Sequence, residues 1–309
     1  MAVTRLAPQE WQGRSDPEDG ALAKRMHDLV AANGDRAVLG FACEAGVIRN
    51  KGRKGAAEGP AHLRRGLANM AAPTDAHVFA DLGDIAVTGD DLEAGQDALS
   101  DALKEALELH SRIVVLGGGH ETAFGSYRGL AARYPGKKIG IINLDAHLDL
   151  RLVGENGASS GTPFAQIRQL APDAFDYLCV GVADESNTHA LMQRASDWGV
   201  SIVSDHALIA DPNAADGAIN AMIERNDLIY LTIDIDLLPH YQAPGVSAPA
   251  ARGVPLETVE HLVAYVLRQS EQAGVPIPLA DIVELSPAHD TQGVTAKTAA
   301  LLVRRLLTS

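Results

Sequence analysis

Three short segments of this 309-residue chain carry side chains that could work together on a metal-activated water. The first is Gly117-Gly118-Gly119-His120-Glu121. Its glycines allow a sharp turn and a close backbone approach, and no Walker or dinucleotide-binding glycine pattern is present. Alone, a histidine such as His120 is more often a turn or core residue than a ligand. The second is Asn143-Leu144-Asp145-Ala146-His147-Leu148-Asp149-Leu150-Arg151. In extended chain Asp145, His147 and Asp149 leave one side of the backbone, because side chains alternate with a period of two. Two carboxylates and an imidazole converging among apolar neighbours repel one another unless a cation sits between them. The third is Asp234-Ile235-Asp236, where a helix cap or turn pair is the competing explanation. Together the segments supply two histidines and four aspartates. That oxygen-rich set without cysteine suits two manganese or magnesium ions better than a structural zinc. Two such ions sharing carboxylates would lower the pKa of a water held between them and create a nucleophile at neutral pH.

The elements that must position these residues are legible as pattern. Nearly continuous apolar runs predict strands over 36–42, 111–118, 138–146, 177–183, 200–205, 227–236 and 278–286. Amphipathic stretches predict helices over 91–110, 122–134, 187–198, 211–226, 255–272 and 295–307. Strand followed by helix, repeated, means parallel strands joined by crossovers. The expected fold is therefore α/β, with a central parallel sheet, helices on both faces, and ligands bound beyond the carboxyl ends of the strands. Each of the three segments falls at such an end. No low-complexity linker or internal repeat divides the chain, so residues 1–309 are read as one domain. The stretch 49–60, RNKGRKGAAEGP, is a Gly-rich basic loop in an otherwise acidic protein.

Bulk properties restrict the partners. Formal net charge is −14, which opposes binding to a phosphate backbone and argues against nucleic acid. No stretch is long and apolar enough to span a membrane, and the first residues lack the apolar core of a secretory signal. A cytoplasmic setting is expected. Cys43 and Cys179 each sit in an apolar run and read as buried core residues, not as a disulfide.

The motifs GGGHE, NLDAHLDLR and TIDIDLLP, in this order, resemble the metal-ligand motifs of the arginase/ureohydrolase family, and DIVELSP resembles a fourth family element, a glutamate ending a late strand. The resemblance runs from about Arg36 to the C-terminus. It implies a three-layer αβα arginase-like fold and two Mn2+ ions, with other divalent ions as alternatives. His120, Asp145, Asp149 and Asp234 would hold one ion; Asp145, His147, Asp234 and Asp236 would hold the other. Glu284 would face the planar N–C–N group of the substrate. It also implies a small-molecule substrate and a homo-oligomer.

Within the family, the second histidine of an arginase-type His-Gly motif is missing, and Ser159-Ser160-Gly161-Thr162-Pro163-Phe164 stands in that segment. This feature, with DAHLDLR and GFACEAGVIRNKGRKGAAEGP, is similar to the branch that hydrolyses N-formimidoyl-L-glutamate to L-glutamate and formamide in histidine degradation. On that branch a metal-bridging hydroxide attacks the amidine carbon. Asp149 then passes a proton to the departing nitrogen. Arg151 is expected to clamp one substrate carboxylate and Arg53, with Asn50, the other; Ser160 and Thr162 are further substrate-binding candidates. Arg151 could instead pair with a ligand aspartate, and Arg53 could be a solvated loop charge. Another ureohydrolase acting on a guanidino substrate, such as an agmatinase or guanidinobutyrase, and a non-catalytic paralogue are the rival functions.

Overall fold

A computed structural model describes residues 2–309 of the chain. Nine strands build one sheet: β1 (Val3–Leu6), β2 (Arg36–Ala42), β3 (Phe79–Val87), β4 (Arg112–Leu116), β5 (Ile139–Leu144), β6 (Asp176–Val182), β7 (Ser201–Ser204), β8 (Leu228–Asp234) and β9 (Leu279–Val283). Ten helices flank it: α1 (Ala45–Arg49), α2 (Gly59–Ala68), α3 (Leu92–Ala106), α4 (Thr122–Arg133), α5 (Pro163–Leu170), α6 (His189–Asp197), α7 (Asp205–Ala210), α8 (Asp216–Glu224), α9 (Leu256–Ala273) and α10 (Val294–Thr308). The spatial strand order is β1-β3-β2-β4-β9-β8-β5-β6-β7. Eight strands run parallel, as expected; β1 joins the edge antiparallel to β3 and makes the sheet mixed.

The three layers follow from the alternation of the central strands. In β4, Val114 and Leu116 pack on one face with Leu63 of α2, Ile219 of α8, Val263 of α9 and Leu302 of α10. Ile113 and Val115 face the other way, with Leu99 of α3, Leu130 of α4, Ile167 of α5 and Leu191 of α6. Both faces of β4 are buried, which is why its sequence reads as an unbroken apolar run.

All seven predicted strands and six predicted helices are present, with ends differing by a few residues. Strand β3 lacked a readable pattern because Asp81, Gly83 and Asp84 interrupt it. Its charges are balanced in the fold: Arg64 of α2 reaches Asp81 at 2.8 Å and Asp84 at 2.7 Å, and Trp11 Nε1 donates to Asp81 at 2.7 Å. Two of the missed elements, α1 and α2, flank the Gly-rich basic loop, whose residues 50–55 remain irregular. Among the described residues no helix is long and apolar enough to cross a membrane.

The topology decides where chemistry can occur. The chain leaves β4, crosses to β5 three places away, builds outward through β6 and β7, and returns to insert β8 and β9 between β5 and β4. The four motif-bearing strands, far apart in sequence, thus become consecutive neighbours in the order β4-β9-β8-β5.

Candidate active site and metal centre

Each motif begins where its strand stops pairing. After β4 the glycine turn runs so close to the end of β2 that a Cβ on Gly118 would stand 1.8 Å from the Cys43 carbonyl oxygen. The turn delivers His120, which is buried at 1% exposure. After β5, Asp145 donates its N–H to Val180 O at 3.0 Å and then leaves the sheet. Asp234 is the last residue of β8, and Glu284 follows β9 directly. Glu284 N donates to Gly118 O at 2.7 Å and Glu284 Oε1 accepts from His120 N at 2.8 Å, so the ends of β9 and β4 hold each other.

Among the described residues four non-glycine residues have a left-handed backbone, and two of them are Asp149 (φ 45°) and Glu284 (φ 65°). Such a conformation costs an L-residue on the order of 1–3 kcal/mol and persists where surrounding structure enforces it, typically at functional sites. Asn187 enforces it at the second motif. Its Oδ1 accepts from Leu148 N at 3.0 Å, and its Nδ2 donates to Ala146 O at 2.9 Å and Ala183 O at 2.8 Å. Tyr177 OH adds a bond to Leu148 O at 3.1 Å.

The side chains converge in two sets. His120, Asp145, Asp149 and Asp234 form one, and Asp145, His147 and Asp236 the other; within each set the potential ligand atoms all lie within 4.8 Å of one another. His120 Nδ1 stands 3.2 Å from Asp145 Oδ2, 3.1 Å from Asp149 Oδ2 and 3.2 Å from Asp234 Oδ2. His147 Nδ1 stands 3.5 Å from Asp145 Oδ1 and 3.3 Å from Asp236 Oδ2. Asp145 belongs to both sets. Asp234 joins only the first, and its Oδ1 accepts from Asp236 N at 2.9 Å.

These residues fit a cation. His120 Nδ1 is buried without a hydrogen-bond partner, as is Asp236 Oδ1. His120 Nε2 lies 3.1 Å from the Thr232 hydroxyl, and in the tautomer that donates to it Nδ1 would aim its lone pair among three carboxylate oxygens. A lone pair facing three anions is unfavourable, and a divalent ion in their midst satisfies all four. The electrostatics agree. Burial pushes the Asp234 carboxyl well above the usual range, and the Asp236 and Asp145 charges add to it. Asp236 is pushed up to about 6 by burial, with the nearby Asp145 charge adding to it and His147 opposing. Burial, then Asp234, raise Glu284, and burial raises Asp149. Asp145, between two imidazoles, is lowered despite its burial. The cluster carries more negative charge than two histidines can offset.

A cavity of about 180 Å³ opens onto this floor. Asn50, Gly52, Arg151, Ser160, Ser186, Asn187, Leu191, Ser247 and Ala248 complete its walls around His147, Asp149, Asp234, Asp236 and Glu284. Asn50 Nδ2 donates to Ser160 Oγ at 3.2 Å. Arg151 is exposed at the rim and forms no ion pair with a ligand aspartate.

Two expected substrate contacts are absent from this wall. Thr162 is 2% exposed; its hydroxyl accepts from Ser159 N at 2.9 Å and donates to Ser159 O at 2.9 Å. A threonine just before the Pro163 that opens α5 closes the local turn on itself. Arg53 is occupied by backbone: its Nε donates to Ser247 O at 3.0 Å and its Nη2 to Val246 O at 2.5 Å, while its N–H donates to Ser247 Oγ at 2.8 Å. It staples the basic loop to the 246–248 segment, so that Gly52 and Ser247 close one wall. Arg53→Ala should therefore raise KM for charged and uncharged amidines by a similar factor, leaving their ratio near that of the unaltered protein; steady-state kinetics on both substrates measure this.

Sequence reasoning missed Ser186, Asn187, Leu191, Ser247 and Ala248. Ser186 and Asn187 follow β6, the neighbour of β5, and a strand-end rule extended one strand outward finds them. Ser247 and Ala248 lie in an irregular loop with no periodic signal.

Comparison with known proteins adds an independent line. The model of the arginase family matches residues 35–308. The chain is 44% identical to a formimidoylglutamase of Citrobacter koseri over 308 residues, covering 96% of this chain and 95% of that protein. It is 46% identical to a formimidoylglutamase of Aeromonas hydrophila over 310 residues, covering 96% of each. Among solved structures, formimidoylglutamase from Bacillus subtilis superposes with a TM-score of 0.82 at 21% identity, covering 98% of this chain and 95% of that one. Trypanosoma cruzi formiminoglutamase with Mn2+2 does so with a TM-score of 0.80 at 23% identity, covering 93% and 98%.

Proposed function

The chain belongs to the arginase family, and from that premise we propose that it hydrolyses N-formimidoyl-L-glutamate to L-glutamate and formamide, as a step of histidine degradation, with two Mn2+ ions. The observation that carries this reading is one cavity that joins a floor of unbalanced carboxylates to an arginine free at the rim. The relatives named above support the same substrate. In the proposal His120, Asp145, Asp149 and Asp234 hold one ion, and Asp145, His147 and Asp236 the other, with Asp234 shared. Bound there, the ions would acidify a water enough to make it a nucleophile near neutral pH.

The residues of the chain do the rest. Glu284 orients the cationic amidine; since Oε1 already accepts from His120 N, the amidine meets it chiefly through Oε2. Holding the amidine carbon against the nucleophile makes the reaction effectively unimolecular. Water oxygen adds to that carbon, the bond to the glutamate nitrogen breaks, and the leaving nitrogen gains a proton from Asp149. The proton that Asp149 hands on would be the one it takes from the attacking water. Arg151 receives one substrate carboxylate, and the Asn50 and Ser160 pair lies beside it.

Product assays with added Mn2+ test the reading. Formamide and glutamate should form from formimidoylglutamate, with little urea from arginine, agmatine or guanidinobutyrate; the reverse preference would remove the substrate assignment. Arg151→Ala should raise KM for formimidoylglutamate roughly 10-fold, as expected for losing a partly exposed charge-assisted contact. An uncharged formamidine should be nearly unaffected, and equal effects on both substrates would contradict the clamp.

A further inference from the structure

Basic side chains of this acidic chain gather at the end of the sheet opposite the metal cluster. Arg36 opens β2 and Arg112 opens β4, and the two are direct partners in the parallel register. They lie on the sheet face of Val38 and Val114, two residues further along each strand, which is the face covered by α9 and α10. Like charges side by side on a sheet repel each other. Each arginine reaches only main-chain oxygen. Arg36 Nη1 donates to Leu307 O at 2.8 Å, and Arg112 donates from Nε to Ile277 O at 3.1 Å and from Nη1 to Leu306 O at 3.0 Å. Most of their N–H groups are left without a protein acceptor. Asp35 and Glu271 lie near enough to favour the charged forms, but among the described residues no carboxylate pairs with either arginine. Arg25, Arg49 and Arg64, also half-buried, each hold a carboxylate at 2.8 Å or less. Burial brings the Arg112 guanidinium down to about 10, with the Arg36 charge adding to it, and burial lowers Arg36 as well.

A cavity of about 460 Å³ opens beside the pair. Arg268 of α9 and Arg305 of α10 stand on its wall, so four guanidinium groups face it against one acidic side chain, Glu271. Ser270, 2% exposed, lines the same cavity, and its hydroxyl has no hydrogen-bond partner. We infer that this cavity binds a small multivalent oxyanion, a phosphate or a dicarboxylate, between Arg36 and Arg112 on one side and Arg268 and Arg305 on the other. Such an anion supplies the counter-charge that the two strand arginines lack. Its oxygens accept paired N–H bonds from a planar guanidinium, the geometry for which arginine is suited. The carbonyls of Leu306 and Leu307, in the last turn of α10, provide only partial negative charge and leave this demand unmet. The site lies a strand length from the chemistry, since Arg112 begins β4 and His120 follows its far end. It therefore stands apart from the metal and substrate readings and does not depend on either.

Calorimetric titration of the full-length protein with inorganic phosphate and, in parallel, with succinate, both at constant ionic strength, tests this. At least one of the two should bind saturably, and the tighter of them names the class. Arg268→Gln and Arg305→Gln should each weaken that binding roughly 10-fold, as expected for losing one charge-assisted contact. Both side chains are exposed, so these variants should fold. Arg36→Gln should weaken it at least as much, but it also removes the bond to Leu307 O, so the two exposed positions carry the test if it does not fold. Arg151→Ala, at the rim of the metal cavity, should leave the binding unchanged. The bound anion should also raise the melting temperature of the unaltered protein more than that of Arg268→Gln, because only the folded state offers the site. No saturable binding of either anion would overturn the inference. So would binding that weakens in Arg151→Ala but not in the Arg268 and Arg305 variants, since that places the anion in the metal cavity.

Discussion

Asp234→Ala is expected to keep the fold, lose at least one of two manganese ions per chain, and turn over slower by on the order of 10³-fold or more, because the nucleophile depends on the acidity that both ions confer. Asp234 ends the central strand β8, and its Oδ2 lies 3.2 Å from His120 Nδ1 while its Oδ1 fixes Asp236 N. The fold should tolerate the change. Burial, then the charges of Asp236 and Asp145, already disfavour the Asp234 anion in the absence of metal. Removing it relieves that repulsion, so the metal-free variant should melt no lower than the metal-free parent, while added Mn2+ should stabilise the variant less. Elemental analysis, turnover and melting curves with and without chelator together check this. Two ions per chain with near-parental turnover would remove Asp234 from the metal centre.

Asp149→Asn separates metal binding from proton delivery. Asparagine keeps an oxygen donor of the same size, so much of the metal content should survive, whereas it has no ionisable proton to give. Turnover of formimidoylglutamate should fall about 10²–10⁴-fold, the usual range for a positioned acid or base. The loss should shrink for a formamidine whose leaving amine is weakly basic, since such an amine departs without a proton. A loss independent of the leaving group, at full metal content, would assign Asp149 to ligation alone. Near-normal turnover of Asp149→Ala would remove it from both roles. The left-handed backbone of Asp149 supports a functional role: the segment is held in that shape by Asn187 and Tyr177 through Ala146 and Leu148.

The structure brings together all six residues that the motifs singled out for metal, and Glu284 with them. Their legibility has a physical basis. A strand buried on both faces must be apolar throughout, so a carboxylate or imidazole just past its end stands out against the run before it. The walls of the cavity were harder to read. Arg53 and Thr162 are polar residues in loops, and sequence does not distinguish a side chain that reaches substrate from one that bonds a nearby backbone. Here Arg53 binds the 246–247 carbonyls and Thr162 binds Ser159. Strand β3 was hidden for a related reason, since the Arg64 that balances Asp81 and Asp84 lies on α2 rather than within the strand.

Local pattern by itself determined seven of the eight parallel strands and the helix layers in outline, the strand ends that carry chemistry, and the oxygen-rich ligand set, because periodicity and side-chain type are properties of contiguous residues. The tertiary structure alone decided that β8 and β9 insert between β4 and β5, that Asn187 after β6 holds the backbone of the second motif, and that Arg53 and Thr162 turn to nearby backbone. Those outcomes depend on which strands become neighbours and in what register, and hydrogen bonds between strands are chosen by the packing of the whole sheet.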